Sequence, residues 1–378
     1  MIRPDFFYDL LIKNGTDFFT GVPDSLLKNF CAYLTDTVKK DNHIIAANEG
    51  GALGLAAGHY FATENIPLVY MQNSGLGNTV NPILSLADKE VYSVPILLLI
   101  GWRGEPNVHD EPQHIKQGKI TCELLETMEI PYSILALEET QAAAQIQQAY
   151  TIMEETNAPY AFVVCKGTFD SYTLKTNENV PAQMSREEAI EEIVLHAPEN
   201  AVFISTTGMA SRELYELRDK HQSGHHKDFL TVGSMGHASQ IALGIALEKP
   251  NVPVFCLDGD GAALMHMGGM AIIGTRKPQN ILHIVFNNGA HDSVGGQPTV
   301  ARNISLCDIA RSCGYEYAVC VKTKEELDSV LKDSKTYSCL TFIEILVTKG
   351  ARSDLGRPKS SPLENKQAFM AYLKGVKK

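Results

Sequence analysis

Short apolar runs alternate along the chain with longer segments whose apolar residues recur at helical spacing. Phe6, Phe7, Leu10 and Leu11 share one face of a first helix, which Gly15 ends. Residues 17–20 then read as a short strand, and GVPDS opens a helix at Leu26, with Pro23 and Asp24 suited to its start. Strands are predicted at 43–47, 68–71 and 94–101, with helices at 52–62 and 77–87 between them. The polar run WRGEPNVHDEPQHIKQG, 102–118, reads as one long loop. A helix at 137–154 and a strand at 160–164 close this half.

Residues 175–183 are polar, contain Pro181 and lack periodicity, so they read as a linker. Beyond them the alternation resumes. Ser185, with Glu188 three positions on, caps a helix to 196. Strands follow at 202–206, 229–232, 253–257 and 281–286, with helices at 211–218, 238–247 and 262–274. A helix at 306–312, a strand near 315–321, a helix at 324–332, a strand at 341–347 and a last helix at about 363–375 complete the pattern. Strand–helix alternation implies parallel sheets covered on both faces. The expected fold is α/β, with two doubly wound parallel-sheet domains, 1–178 and 179–378.

Composition changes this picture little. With 378 residues there is room for two cores, and 44% apolar against 20% charged residues is an ordinary globular balance. The net charge of −11 argues against nucleic acid as a general partner. The apolar run 94–100 is too short to span a bilayer. Eight cysteines without a CxxC pair, together with an N-terminus lacking a signal-peptide layout, lead to an expectation of free thiols and a cytoplasmic location.

The chemistry concentrates where strands end. An apolar strand runs through Asp258 into Gly259, Asp260 and Gly261, and the helix after Gly261, starting at Ala262, offers free N–H groups to phosphates. The next strand ends in Asn287-Asn288-Gly289, about 28 residues beyond Asp260. Asp260 and one of the two Asn therefore leave the same ends of adjacent strands. Oxygen donors so placed suit Mg²⁺, which takes a few protein ligands and completes its shell with phosphate and water. Thr207 and Gly208 end the first strand of this half and are placed beside the same phosphates. In the first half Glu49 follows a strand and precedes a helix of small residues, which reads either as a helix-cap carboxylate or as a buried functional acid.

The acidic turn, its spacing and the paired Asn resemble the diphosphate motif of thiamin-diphosphate enzymes. NEGGALGLAAGHYFAT resembles their pyrimidine-binding half. Over nearly the whole length the sequence is similar to the phosphonopyruvate decarboxylase family, with sulfopyruvate decarboxylases close. GVPDS, NSGLGNTVNPI, GWRGE with DEPQH, NNGAHDSVGGQPT, and LGRP with ENKQAFM carry that likeness.

The resemblance implies a pyrimidine half and a diphosphate half without a middle domain, with thiamin diphosphate and Mg²⁺ as cofactors. It implies Asp260, Asn288 and the Ala290 carbonyl on the cation, with Asn287 as rival to Asn288. Glu49 would hydrogen-bond the aminopyrimidine ring nitrogen, the Gly233 carbonyl would accept from the amino group, and Met235 would prop the two rings. The reaction implied is 3-phosphonopyruvate to 2-phosphonoacetaldehyde and CO₂, in a homo-oligomer with the cofactor between subunits. Asp24 and His114 are the acid–base candidates, His109 and Asp110 their alternatives, and His291 and Gln297 are placed near substrate. Arg103, Arg352, Arg357, Lys359 or the Gly295–Gly296 backbone would meet the phosphonate. Three rival readings stand beside this. The first is sulfopyruvate decarboxylation or another 2-oxoacid decarboxylation or carboligation. The second is a non-catalytic thiamin-diphosphate-binding protein. The third, a dinucleotide dehydrogenase, is disfavoured because neither half has GxGxxG after its first strand.

Overall fold

The computed structural model describes residues 1–176 and 182–376. The centre of the expected linker lies outside these residues. Two compact units emerge: Met1–Glu178 with His291–Gln297, and Asn179–Ala290 with Pro298–Lys378.

The first unit holds strands β1 (Phe19–Gly21), β2 (His43–Ile45), β3 (Leu68–Gln72), β4 (Leu97–Gly101), β5 (Tyr132–Ile134) and β6 (Tyr160–Val164). The second holds β7 (Val202–Ser205), β8 (Asp228–Leu230), β9 (Val254–Gly259), β10 (Ile281–Asn287), β11 (Tyr317–Val321) and β12 (Thr341–Leu346). The sheet orders are β2-β1-β3-β4-β6-β5 and β11-β12-β10-β9-β7-β8, every pairing parallel. Numbered within its own unit, each sheet reads 2-1-3-4-6-5, so the two halves share one topology without sharing a sequence repeat.

Continuous apolar strands are what a sheet buried on both faces requires. In β4, Leu97 and Leu99 face one core layer while Leu98 and Ile100 face the other. In β10, Ile281 and Val285 pack to one side and Leu282, Ile284 and Phe286 to the other. Each such buried side chain contributes roughly 1.5–3 kcal/mol. Chain direction reverses in strand order between β1 and β3, and again between β7 and β9. In open α/β sheets, ligands settle at that switch point, beyond the carboxyl ends of the strands.

Three expectations need correction. Residues 102–118 are not one loop, because the helix Pro112–Thr127 begins inside them. Pro112 supplies a helix start, but the first turns, PQHIKQG, have no apolar stripe to signal it. The segment 262–274 is two helices, Asp260–Met265 and Gly268–Arg276. The helix expected from Leu26 begins at Lys28, after a turn. The edge strand β5 was not anticipated. All eight cysteines are free, four of them buried, while Cys320 is exposed. Among the described residues, no helix is long and apolar enough to cross a membrane.

Candidate active site

In the first unit the candidates lie beyond β1, β2, β3 and β4. Asn48 caps the helix Glu49–Thr63, its Oδ1 accepting the Gly51 N–H at 2.8 Å. Capping is therefore done by Asn48, and the Glu49 side chain is aimed elsewhere. It is 6% exposed, and its Oε2 accepts from Asn78 Nδ2 at 2.8 Å. Gly75 leaves the space it occupies: a Cβ there would stand 2.6 Å from Glu49 Cγ and Oε1. The backbone at Gly75 has φ −72°, open to any residue, so the need for glycine is steric. Gly75→Ala is expected to lower kcat about tenfold or more by displacing this carboxylate, with secondary structure and Tm little changed. A variant with parental turnover would remove Gly75 from the argument.

Asp24 is fully buried after β1. Its Oδ2 accepts the Leu26 N–H at 2.8 Å, and its Oδ1 accepts from Gln72 Nε2 at 2.7 Å. Ser74 Oγ holds Gln72 in turn, donating to Oε1 at 2.7 Å. A Cβ at Gly101 would fall well inside contact distance of Asp24 Oδ2. Burial raises the Asp24 pKa against these donors and the nearby Arg103 charge.

Arg103 is committed. Its Nε donates to Asp110 Oδ2 at 2.8 Å, its Nη2 to Asp110 Oδ1, and its Nη1 to Ser25 Oγ at 2.9 Å. Asp110 also accepts the Gly104 and Glu111 N–H groups. Burial alone would raise the Asp110 carboxyl, but the Arg103 hydrogen bonds and charge bring it down to about 2. Asp110 is thus a fixed anion that orders the turn, unsuited to exchanging protons near neutrality. His114, in the first turn of Pro112–Thr127, is buried, and its Nδ1 has no hydrogen-bond partner among the described residues. Burial and the Arg103 charge lower it to about 4, so the ring is neutral at pH 7. His109 is exposed on the same turn. Gln297 is buried with its Oε1 unpartnered among the described residues, and burial lowers His291 to about 4.

In the second unit the strand ends converge on one turn pair. Register places Phe286 of β10 opposite Gly259 of β9. Hydrogen-bonded strands lie about 4.8 Å apart, so the Gly259–Asp260 and Asn287–Asn288 turns leave the sheet side by side. Asp260 is 4% exposed and accepts from Thr299 Oγ1 at 2.6 Å. Asn288 Oδ1 accepts the Ala290 N–H at 2.9 Å. Asn287 turns into the sheet, donating from Nδ2 to Glu344 Oε1 at 2.7 Å. Gly289, at φ +68°, makes the sharp turn that follows. Gly208, at φ +94°, bends the chain from β7 and Thr207 into the helix Met209–Lys220. The Gly233-Ser234-Met235-Gly236 turn lies against the same helix that Asp260 begins: a Cβ on Gly236 would be 3.0 Å from the Ala262 carbonyl oxygen. The turn pair offers oxygen donors: the buried Asp260 carboxylate, the Asn288 side-chain oxygen and main-chain carbonyls. That chemistry fits a hard divalent cation.

Several polar partners escaped the sequence reading: Asn78, Gln72, Thr299 and Glu344. Asn78 and Thr299 lie inside motifs already singled out, and Glu344 is the lone acid of an apolar strand, TFIEIL. Arg352, a phosphonate candidate, is held by Glu187, Glu216 and Asp354.

Comparison with known proteins matches both units. Residues 4–124 match the family model for the thiamine pyrophosphate enzyme N-terminal TPP binding domain. Residues 206–345 match that for the C-terminal TPP binding domain. A phosphonopyruvate decarboxylase of Streptomyces viridochromogenes is 31% identical, covering 95% of this chain and 92% of that one. A sulfopyruvate decarboxylase of Methanosarcina acetivorans is 27% identical over 97% and 96%. The sulfopyruvate decarboxylase subunit beta of Methanocaldococcus jannaschii is 34% identical over 39% of this chain and 76% of its own. With both domain models matched and a full-length relative above 30% identity, the chain belongs to the thiamine pyrophosphate enzyme family.

Proposed function

We propose that this chain decarboxylates 3-phosphonopyruvate to 2-phosphonoacetaldehyde and CO₂, using thiamin diphosphate and Mg²⁺. The observation that carries the substrate assignment is the likeness to phosphonopyruvate decarboxylases along 95% of the chain. Residues 1–178 are assigned as the pyrimidine-binding half and 179–378 as the diphosphate-binding half. Asp260, Asn288 and the Ala290 carbonyl would hold the cation. The engagement of Asn287 with Glu344 favours Asn288 over its neighbour. Gly259, Gly261, Ala262, Thr207 and Gly208 would face the diphosphate, and Gly233 and Met235 the ring system.

When bound, thiamin diphosphate supplies the electron sink that takes up the pair released as CO₂ departs. The protein's part is proton management and orientation. Glu49, kept in place by Asn78 and Gly75, would hold a proton at the aminopyrimidine nitrogen. Asp24, protonated more readily because it is buried, would deliver a proton to the carbon that lost CO₂. His114, neutral and with an open Nδ1, would receive one from the hydroxyl that becomes the aldehyde carbonyl as product leaves. The phosphonate would be met by Arg103, Arg352, Arg357, Lys359 or the Gly295–Gly296 backbone; of these, Arg103 also holds Asp110, and Arg352 also holds Glu187 and Asp354. The assembly proposed is a cytoplasmic homo-oligomer with the cofactor between subunits.

Sulfopyruvate is the second reading, supported by the 27% identical relative that matches almost end to end. The two substrates differ chiefly in the charge of the head group. One charge-assisted hydrogen bond is worth about 1.5–3 kcal/mol, so a site built for phosphonate should prefer it roughly 10- to 100-fold in kcat/KM. Aldehyde release from both acids, measured side by side, decides between them. Faster turnover of sulfopyruvate would overturn the assignment.

A further inference from the structure

A buried carboxylate lies against the Asn pair, and the reaction proposed above gives it no task. Glu344 sits within β12, 6% exposed, in a strand otherwise made of apolar residues and Thr341. Its Oε1 accepts from Asn287 Nδ2 at 2.7 Å, and its Oε2 faces the Cys307 thiol at 3.7 Å. The rest of Asn287 is equally tied. Its Oδ1 accepts the Gly289 N–H at 3.1 Å. Its main-chain carbonyl accepts from Arg302 Nη2 at 2.6 Å, and the same nitrogen reaches the Val347 carbonyl at 3.2 Å. Arg302 therefore ties the ends of β10 and β12 together, and Glu344 ties down the side chain between them. Asn287 is the last residue of β10 and Asn288 the next along the chain, so fixing Asn287 into the sheet constrains how the turn presents Asn288.

We propose that Glu344 is a positioning residue for the divalent-cation site: by holding the Asn287 amide in the sheet, it presents Asn288 to the cation beside Asp260. This inference rests on the cation reading of the turn pair given above. Glu344 touches neither cation nor substrate; it acts through Asn287. Losing it would leave the buried Asn287 Nδ2 without its acceptor and the amide held only through Oδ1 by the Gly289 N–H, so the turn would no longer strongly favour one Asn. Substitution should therefore act on cation affinity more than on turnover once the site is saturated.

The test uses the full chain with thiamin diphosphate and follows the electron paramagnetic resonance signal of free Mn²⁺ during titration. Glu344→Ala should weaken Mn²⁺ binding about tenfold or more. Glu344→Gln keeps an acceptor for Asn287 Nδ2 and should stay within about threefold of the parent. Asn287→Asp sets two carboxylates against each other in a buried place and should also weaken binding about tenfold. Adding Glu344→Gln to it restores a donor–acceptor pair with the roles reversed, and affinity should recover to within about threefold. At saturating Mn²⁺ and cofactor, kcat of Glu344→Ala should stay within about threefold of the parent, while the half-saturating Mn²⁺ concentration rises. If Glu344→Ala does not fold, the Asn287→Asp pair carries the result alone.

Tighter Mn²⁺ binding by Asn287→Asp would overturn the proposal, because it would make Asn287 the ligand. So would a double variant no better than Asn287→Asp. A parent protein that binds Mn²⁺, with every variant matching it, refutes the positioning role alone. A parent that takes up no Mn²⁺ refutes the cation reading and this role together.

Discussion

Glu49→Gln is expected to lower kcat roughly 10²- to 10⁴-fold, the usual contribution of a positioned proton-transfer group, while thiamin diphosphate still binds. The substitution is nearly isosteric. Asn78 Nδ2 donates to Glu49 Oε2 at 2.8 Å, and a Gln carbonyl oxygen can accept the same bond. Gly75 leaves room for a side chain of that size and no larger branch. The fold and the cofactor pocket should survive. What a Gln amide lacks is the capacity to hold and release a proton. The loss should therefore appear in kcat with the dissociation constant of thiamin diphosphate changed by only a few-fold, measured by calorimetry on the purified chain. If the Gln variant kept a tenth or more of the parental kcat at saturating cofactor, Glu49 would not be the proton-holding group. A variant that lost cofactor binding instead would give the residue a purely structural role.

The contrast between Asp24 and Asp110 shows why burial alone does not mark a catalytic acid. Both carboxylates are shielded from water. Asp110 accepts a two-pronged Arg103 contact and two N–H groups, and is held ionised at about 2. Asp24, fully buried, meets neutral donors from Gln72 and Leu26, and burial wins, so its pKa rises. A carboxyl whose pKa is to rise must lack a tight cationic partner, and Asp24, with no direct ion pair among the described residues, meets this condition where Asp110 does not.

Much of the architecture is legible in the sequence because its signals are local. Ser185 with Glu188 three residues on does form a capping box. The Gly-Asp-Gly turn and the Asn pair do end neighbouring parallel strands. Signals fail where structure depends on distant contacts. The helix Pro112–Thr127 buries only His114, Gly118, Thr121 and Leu125, a face too polar to show as an apolar period. Part of its stability comes from elsewhere: Trp102 Nε1 donates to the Gly118 carbonyl at 2.8 Å, and Gly118 packs against Gly104 too closely for any side chain. The partners of the site residues are harder still to read. Asn78 lies 29 positions from Glu49, Thr299 lies 39 from Asp260, and Glu344 lies 57 from Asn287. No periodicity or spacing rule joins residues so far apart. They meet because parallel strands bring their carboxyl ends to one edge.

Stripping the protein with chelator should abolish turnover, and activity should return only when Mg²⁺ and thiamin diphosphate are added together. The reason is charge. Asp260 is a nearly buried carboxylate at the turn where an anionic diphosphate is proposed to bind. Two unit charges of like sign about 4 Å apart, at an effective dielectric near 20, repel by about 4 kcal/mol. That alone corresponds to almost three decades in affinity. A divalent cation held between them would turn the repulsion into mutual attraction; Arg302, a basic side chain at this turn, is engaged with the Asn287 and Val347 carbonyls. Asp260→Ala removes the carboxylate and should not rescue binding in the absence of metal, since the cation then loses its charged ligand and the diphosphate its bridge. The expected result for Asp260→Ala is a half-saturating Mg²⁺ concentration raised about a hundredfold or more, with CD and Tm near those of the parent protein. Turnover restored by thiamin diphosphate alone after exhaustive chelation, or an Asp260→Ala variant with unchanged Mg²⁺ dependence, would mean that the turn pair beyond β9 and β10 does not bridge the diphosphate.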